Sequence, residues 1–168
     1  CALPIWWEFE KAIEVSIEAT LYAKENGLYV SFFTIDGTRA DIDDYLKIVD
    51  RVASEGHMDE LTVVDTFGGL NPHSVPYLIK KVKEHIPDKP IGVHFHDDFG
   101  LGAATTIMGL ASGADIAHTS ISGIGERAGN APYEDVAMAL LTMYGVDTAS
   151  PADRTTYLGR VERVLRRL

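Results

Sequence analysis

At 168 residues the chain can form one domain with a real core, but it falls short of the ~250 residues a complete (β/α)8 barrel uses. A composition of 46% hydrophobic and 24% charged residues, without a low-complexity tract, excludes a disordered tail, and a formal charge of −10 argues against nucleic acid and anionic lipid as partners. No apolar run reaches the ~18 residues of a membrane span, no signal-peptide pattern opens the chain, and the single cysteine, Cys1, can close no intramolecular disulfide; a cytoplasmic protein is expected.

Cys1 stands where an initiator methionine would, so the start reads as a truncation point. A helix is expected over about Glu8–Asn26, with Ala12, Val15, Ala19 and Tyr22 along one face and Gly27 as its stop. Short apolar, β-rich runs then alternate with segments of helical period. Leu28–Phe33, Leu61–Asp65, Ile91–Phe95 and Ile116–Ser120 read as strands, each followed by a helix. Asp41 before Ile42, Asn71 before Pro72 and Ser150 before Pro151 are helix-start signatures. Arg160, Arg163, Arg166 and Arg167 crowd the final helix, where cations suit the helix dipole. The strands look apolar on both faces, as buried parallel strands do, and their spacing is that of βαβ units. A doubly wound open sheet and half of a TIM barrel both fit this repeat, and periodicity alone does not separate them.

The sharpest chemical signal is His94-Phe95-His96-Asp97-Asp98, at the carboxyl end of the third strand. Side chains alternate across a strand, so His94 and His96 point the same way, able to converge on one ion, with Phe95 facing the opposite layer. Imidazole suits first-row divalent ions, and ligands gather at the carboxyl ends of strands in α/β folds; paired histidines also occur as plain core or rim residues. Of the two aspartates, Asp98 is the expected cap of the next helix, with the other bonding a histidine.

The loop Ser122-Gly123-Ile124-Gly125-Glu126-Arg127-Ala128-Gly129-Asn130-Ala131-Pro132 contains a formal G-x-G-x-x-A, but Pro132 delays the helix and no strand follows, against a dinucleotide site. Asn130 taken alone reads as a turn or capping residue. In Asp65-Thr66-Phe67-Gly68-Gly69-Leu70-Asn71-Pro72, a hydroxyl and exposed amides offer a place for an anion, although such loops are usually only turns.

Taken together, Asp65-Thr66-x-Gly68, His94-x-His96-Asp97-Asp98-x-Gly100-Leu101 and Gly123-Ile124-Gly125-Glu126-Arg127-Ala128-Gly129-Asn130-Ala131 resemble, in order and spacing, the last three strand-end motifs of the DRE-TIM metallolyase family. That family includes 2-isopropylmalate, homocitrate and citramalate synthases and hydroxymethylglutaryl-CoA lyase, and the similarity runs from about Tyr29 to Val146. The resemblance implies an α/β fold, the C-terminal half of a metal-dependent TIM-barrel catalytic domain over residues 1–168: the last four βα units with a preceding and a terminal helix. It implies His94, His96 and Asn130 as ligands of a divalent ion (Mn, Mg, Zn or Co), Thr66 on the carboxylate of a 2-oxo acid, and Glu126 and Arg127 as catalytic residues at the mouth. The implied reaction condenses an acyl-CoA, acetyl-CoA in the synthases, with a 2-oxo acid.

The family's first strand, with its aspartate ligand and arginine, has no counterpart here, nor does the synthases' C-terminal lid with its histidine; His118 reads as structural. Phe33 and Ile35 stand where the synthases usually carry serine and glutamate. Cys1 lies far from any glycine-rich loop, which favours synthase over lyase, and no lysine on the four strands speaks against a carboxyltransferase. Lyase-like C–C cleavage and an inert metal-binding half-barrel are the alternatives. Four parallel strands leave two edges and an uncovered inner face, so a homo-oligomer is expected.

Overall fold

The computed structural model describes residues 8–148. The Ser150–Pro151 helix start, the terminal helix with its arginines, and Cys1 lie outside the described residues. Helix α1 (Phe9–Glu25) precedes β1 (Ser31–Thr34), α2 (Ile42–Ser54), β2 (Glu60–Asp65), α3 (Val75–His85), β3 (Ile91–Phe95), α4 (Gly102–Ala111), β4 (Ile116–His118) and α5 (Tyr133–Tyr144), with short 3-10 turns at Gly37–Arg39 and Ile121–Gly123.

The four strands form one parallel sheet in the order β1-β2-β3-β4. Each helix packs beside the helix before and after it in the chain. A doubly wound sheet reverses its strand order at a switch point, and this one does not. The winding is therefore that of a barrel wall, with its helices on one side. That side holds the core: Leu61 and Val63 of β2 and Ile91, Val93 and Phe95 of β3 pack with Val49, Val52, Val75, Ile79 and Val82 of α2 and α3. Gly109 lets α4 come close, since a Cβ there would lie 3.1 Å from Val93 Cγ1.

The opposite face is more polar than the sequence suggests. Glu60, 5% exposed, accepts hydrogen bonds from Ser31 Oγ (3.0 Å) and Thr62 Oγ1 (3.1 Å), and Tyr29 Oη donates to its other oxygen (3.3 Å). Burying a carboxylate is costly unless donors surround it, as they do here. Gly92 leaves them room: a Cβ there would meet Thr62 Oγ1, Glu60 Oε1 and His118 Nε2 within 3.3 Å.

Several local expectations need correction. In α1 the buried stripe is Ala12, Ile13 and Thr20, with Ile17 packed against the core, while Ala19 and Tyr22 face solvent; Ile13, Ile17 and Thr20 repeat at i, i+4, i+7 and lie towards α2. β1 starts later than expected because Leu28 and Tyr29 are exposed and form no ladder, and β4 ends at His118. Asp41 does cap α2, accepting from the Asp43 and Asp44 amides at 2.9 and 3.4 Å. Asn71 caps a preliminary turn, taking the His73 and Ser74 amides, before α3 begins at Val75.

Candidate metal centre

β3 places the histidines. Phe95 is fully buried on the helix side, and His94 turns to the inner face, where its ring lies 5.3 Å from that of His96 and 5.7 Å from that of His118. Phe33 stands edge-on to His94 and His118 at 5.8 and 5.2 Å. His118 thus borders the same space, with its Nε2 3.9 Å from Glu60. His94, Ile116, Ala117, His118, Thr119, Ser120 and Asn130 line a cleft of about 410 Å³.

Asn130 arrives by a route no local pattern reveals. Beyond β3 the chain pairs antiparallel with the end of the glycine loop: the Asp97 amide donates to Gly129 O (2.9 Å) and the Ala131 amide to Phe95 O (3.1 Å), bridging His96 with Asn130. The Ser120 amide donates to Ala131 O (3.2 Å), so this segment wedges between the ends of β3 and β4. The result sets Asn130 Nδ2 3.2 Å from His94 Nε2. The glycines make the wedge possible: a Cβ on Gly125 would fall 1.8 Å from Asn130 Oδ1, and one on Gly129, at φ +112°, 2.1 Å from Gly123 O.

Burial, together with the nearby His96 and His118, pulls the His94 pKa below its usual value. The neutral form favoured thereby is the one that ligates metals. His94 Nδ1 is buried without a hydrogen-bond partner among the described residues, and Nε2 faces the Asn130 carboxamide. Two imidazoles and a carboxamide, whose oxygen comes forward when the group turns over, suit a first-row divalent ion. Among the described residues no group of three or more His, Cys, Asp or Glu side chains is arranged to hold a metal ion by itself.

The two aspartates depart from expectation: Asp97, not Asp98, holds the helix start, and neither takes the expected histidine. Asp97 Oδ1 accepts from the Gly102 amide at 2.6 Å, holding the start of α4, and Gly102 must lack a Cβ, which would sit 2.8 Å from that oxygen. Asp98 pairs with Arg127, accepting from Nε at 2.7 Å and Nη2 at 2.9 Å, and this guanidinium holds the Asp98 carboxyl below the usual carboxylate range. Neither aspartate bonds a histidine in the described contacts; Arg127 Nη2 does, lying 3.0 Å from His96 Nδ1. The same nitrogen also donates to the Thr66 carbonyl, and the guanidinium lies over Phe67 at 5.1 Å, a ring that Arg39 also covers at 4.7 Å.

The expected anion nest after β2 is already filled. The buried Asp65 carboxylate takes the Gly69 and Leu70 amides at 3.0 and 2.8 Å and the Thr38 hydroxyl at 3.2 Å, so those amides are not free for a substrate. Thr66 Oγ1 accepts from the Asp36 amide (2.7 Å) and keeps its own proton to donate. Asp65 is legible as the end of β2 and the start of the Asp65-Thr66-x-Gly68 motif, but not as the residue that itself takes the loop's amides. Glu126 extends into solvent, 83% exposed, 3.9 Å from Arg127. The structure thus brings His94, His96, Asn130 and Arg127 together, with Thr66 attached through Arg127 and Glu126 at the rim.

The chain is 44% identical over 142 residues to a putative (R)-citramalate synthase of Archaeoglobus fulgidus, covering 84% of this chain and 29% of that protein. It is 43% identical to a homocitrate synthase of Methanocaldococcus jannaschii (82% of this chain, 34% of the relative) and 42% to a 2-isopropylmalate synthase of the same organism (83% and 26%). The chain thus spans roughly a third of the length of these relatives. A hydroxymethylglutaryl-CoA lyase structure from Pseudomonas aeruginosa superposes with a TM-score of 0.72 at 20% identity, over 87% of this chain and 52% of that one, a likeness of fold that fits a partial barrel. With the HMGL-like family pattern matching residues 5–161 and the synthases aligned over most of its length, the chain belongs to the HMGL-like family.

Proposed function

We propose that this chain carries the metal-binding part of a catalytic barrel that condenses an acyl-CoA, acetyl-CoA in the simplest case, with a 2-oxo acid. The observation that carries the reading is the convergence of His94, His96 and Asn130 at the carboxyl end of β3, from segments far apart in the chain. The relatives named as citramalate, homocitrate and isopropylmalate synthases support it. The overall reaction joins the acyl methyl carbon to the keto carbon and releases CoA when water hydrolyses the thioester.

A divalent ion held by His94, His96 and Asn130 would supply Lewis acidity toward the keto group. The chain's own residues do the rest of the positioning. Burial favours the neutral form of His94, and the wedge between β3 and β4 holds Asn130 beside it. The Thr66 hydroxyl, oriented by the Asp36 amide, has a proton to donate to a substrate carboxylate. Arg127 ties the Thr66 loop to His96, and Glu126, exposed at the mouth, is assigned to proton exchange with solvent.

Calorimetric titration with Mn2+ tests the centre: binding to the chain is expected, and binding unchanged in the folded double variant His94→Ala, His96→Ala would remove the assignment. Thiol release from acetyl-CoA, in a protein carrying the whole barrel, should require both a 2-oxo acid and the ion. Cleavage of a hydroxyacyl-CoA without any condensation would assign the lyase reaction instead.

A further inference from the structure

We propose that Arg127 competes with the divalent ion for His96, and so sets the ion affinity of the centre; this rests on the metal-centre reading above. Arg127 sits in the left-handed region at φ 58°. Its side chain joins three loops: Nε–H and one Nη2–H form the fork on the Asp98 carboxylate, and the second Nη2–H is shared between the Thr66 carbonyl and His96 Nδ1, which lies 3.0 Å from Nη2. A guanidinium has only donors. His96 Nδ1 must therefore accept, and the ring carries its proton on Nε2.

Ligation requires a lone pair of the neutral ring. At Nδ1, Arg127 already holds that lone pair. At Nε2, the proton must first move to Nδ1, where it would face an Arg127 N–H. By either nitrogen, His96 ligation and the Arg127–His96 hydrogen bond exclude one another. His94 carries no such constraint, since its Nε2 faces a carboxamide that can turn over. Release of His96 need not free the arginine: the fork on Asp98 remains, with the stack on Phe67. Arg127 is thus a positioning residue with two seats, one shared with His96 and one on Asp98 alone.

Zn2+ titration by calorimetry of the chain and of Arg127→Lys and Arg127→Gln variants tests this, alongside 15N imidazole NMR of the ring tautomers. A lysine keeps the charge but cannot grip Asp98 in a fork and reach His96 together. Both variants should tighten Zn2+ on the order of tenfold, the effect of one charge-assisted hydrogen bond. Before Zn2+ is added, His96 should show its proton on Nε2. Tightening in Arg127→Gln alone would reduce the effect to charge and overturn the proposal, as would unchanged or weaker binding in both. Should the variants not fold, a His96 proton on Nδ1 in the unsubstituted chain overturns it. Zn2+ binding that survives His96→Ala is a different failure, that of the metal centre itself.

Discussion

Two glycines decide whether Asn130 reaches the histidines. Gly125→Ala would put a Cβ 1.8 Å from Asn130 Oδ1, and the carboxamide must move. Calorimetry should find Mn2+ affinity reduced in this variant, with little change in urea midpoint. Gly129→Ala acts differently, since its φ of +112° and the Gly123 carbonyl 2.1 Å from the new Cβ strain the backbone itself. It should cost on the order of 1–3 kcal/mol by urea unfolding, and an unshifted midpoint would show that the loop has a relaxed alternative. The spacing of these glycines is visible in the sequence, but their reason is not: each makes room for an atom that only the folded loop brings near.

At the scale of elements, β3 is fully legible. Ile91–Phe95 is bounded by Pro90 and by His96-Asp97-Asp98, and its alternation sends Phe95 to the helices and His94 to the inner face. β1 is less so, because Leu28 and Tyr29 look strand-like and yet lie exposed ahead of the ladder. Asp98, the expected cap of α4, is instead claimed by Arg127, 29 residues beyond, which leaves Asp97 to the Gly102 amide. Asp97→Ala should therefore cost about 0.5–2 kcal/mol in urea unfolding, the scale of losing a side-chain acceptor for a first-turn helix amide. Asp98→Ala should leave the start of α4 intact, which hydrogen exchange at Gly102 would distinguish. The antiparallel wedge that carries Asn130 had no local signature, since its partner strand lies more than thirty residues upstream.

For the whole molecule, the resemblance to a barrel wall was legible from the strand-end motifs, and the sequential strand order bears out the barrel over the doubly wound sheet. The polar inner face was not, because Glu60 precedes the apolar run by which β2 is recognised. That face, with Phe33 37% and Ile35 54% exposed, and the outer edges of β1 and β4 are free to pair among the described residues. We expect the isolated chain to self-associate, seen as a concentration-dependent sedimentation coefficient. A monomer at every concentration would show that this face is stable in water as it stands.

The strand order also dictates a sequence of assembly. Each strand meets a partner already made, roughly 30 residues earlier, so the sheet can grow one edge at a time as the chain leaves the ribosome. Asn130 breaks that rule, because its segment must turn back and insert beside a strand laid down before β4 existed. The centre is therefore finished only after its scaffold, and an ion that needs Asn130 can reward the completed fold but cannot guide its beginning.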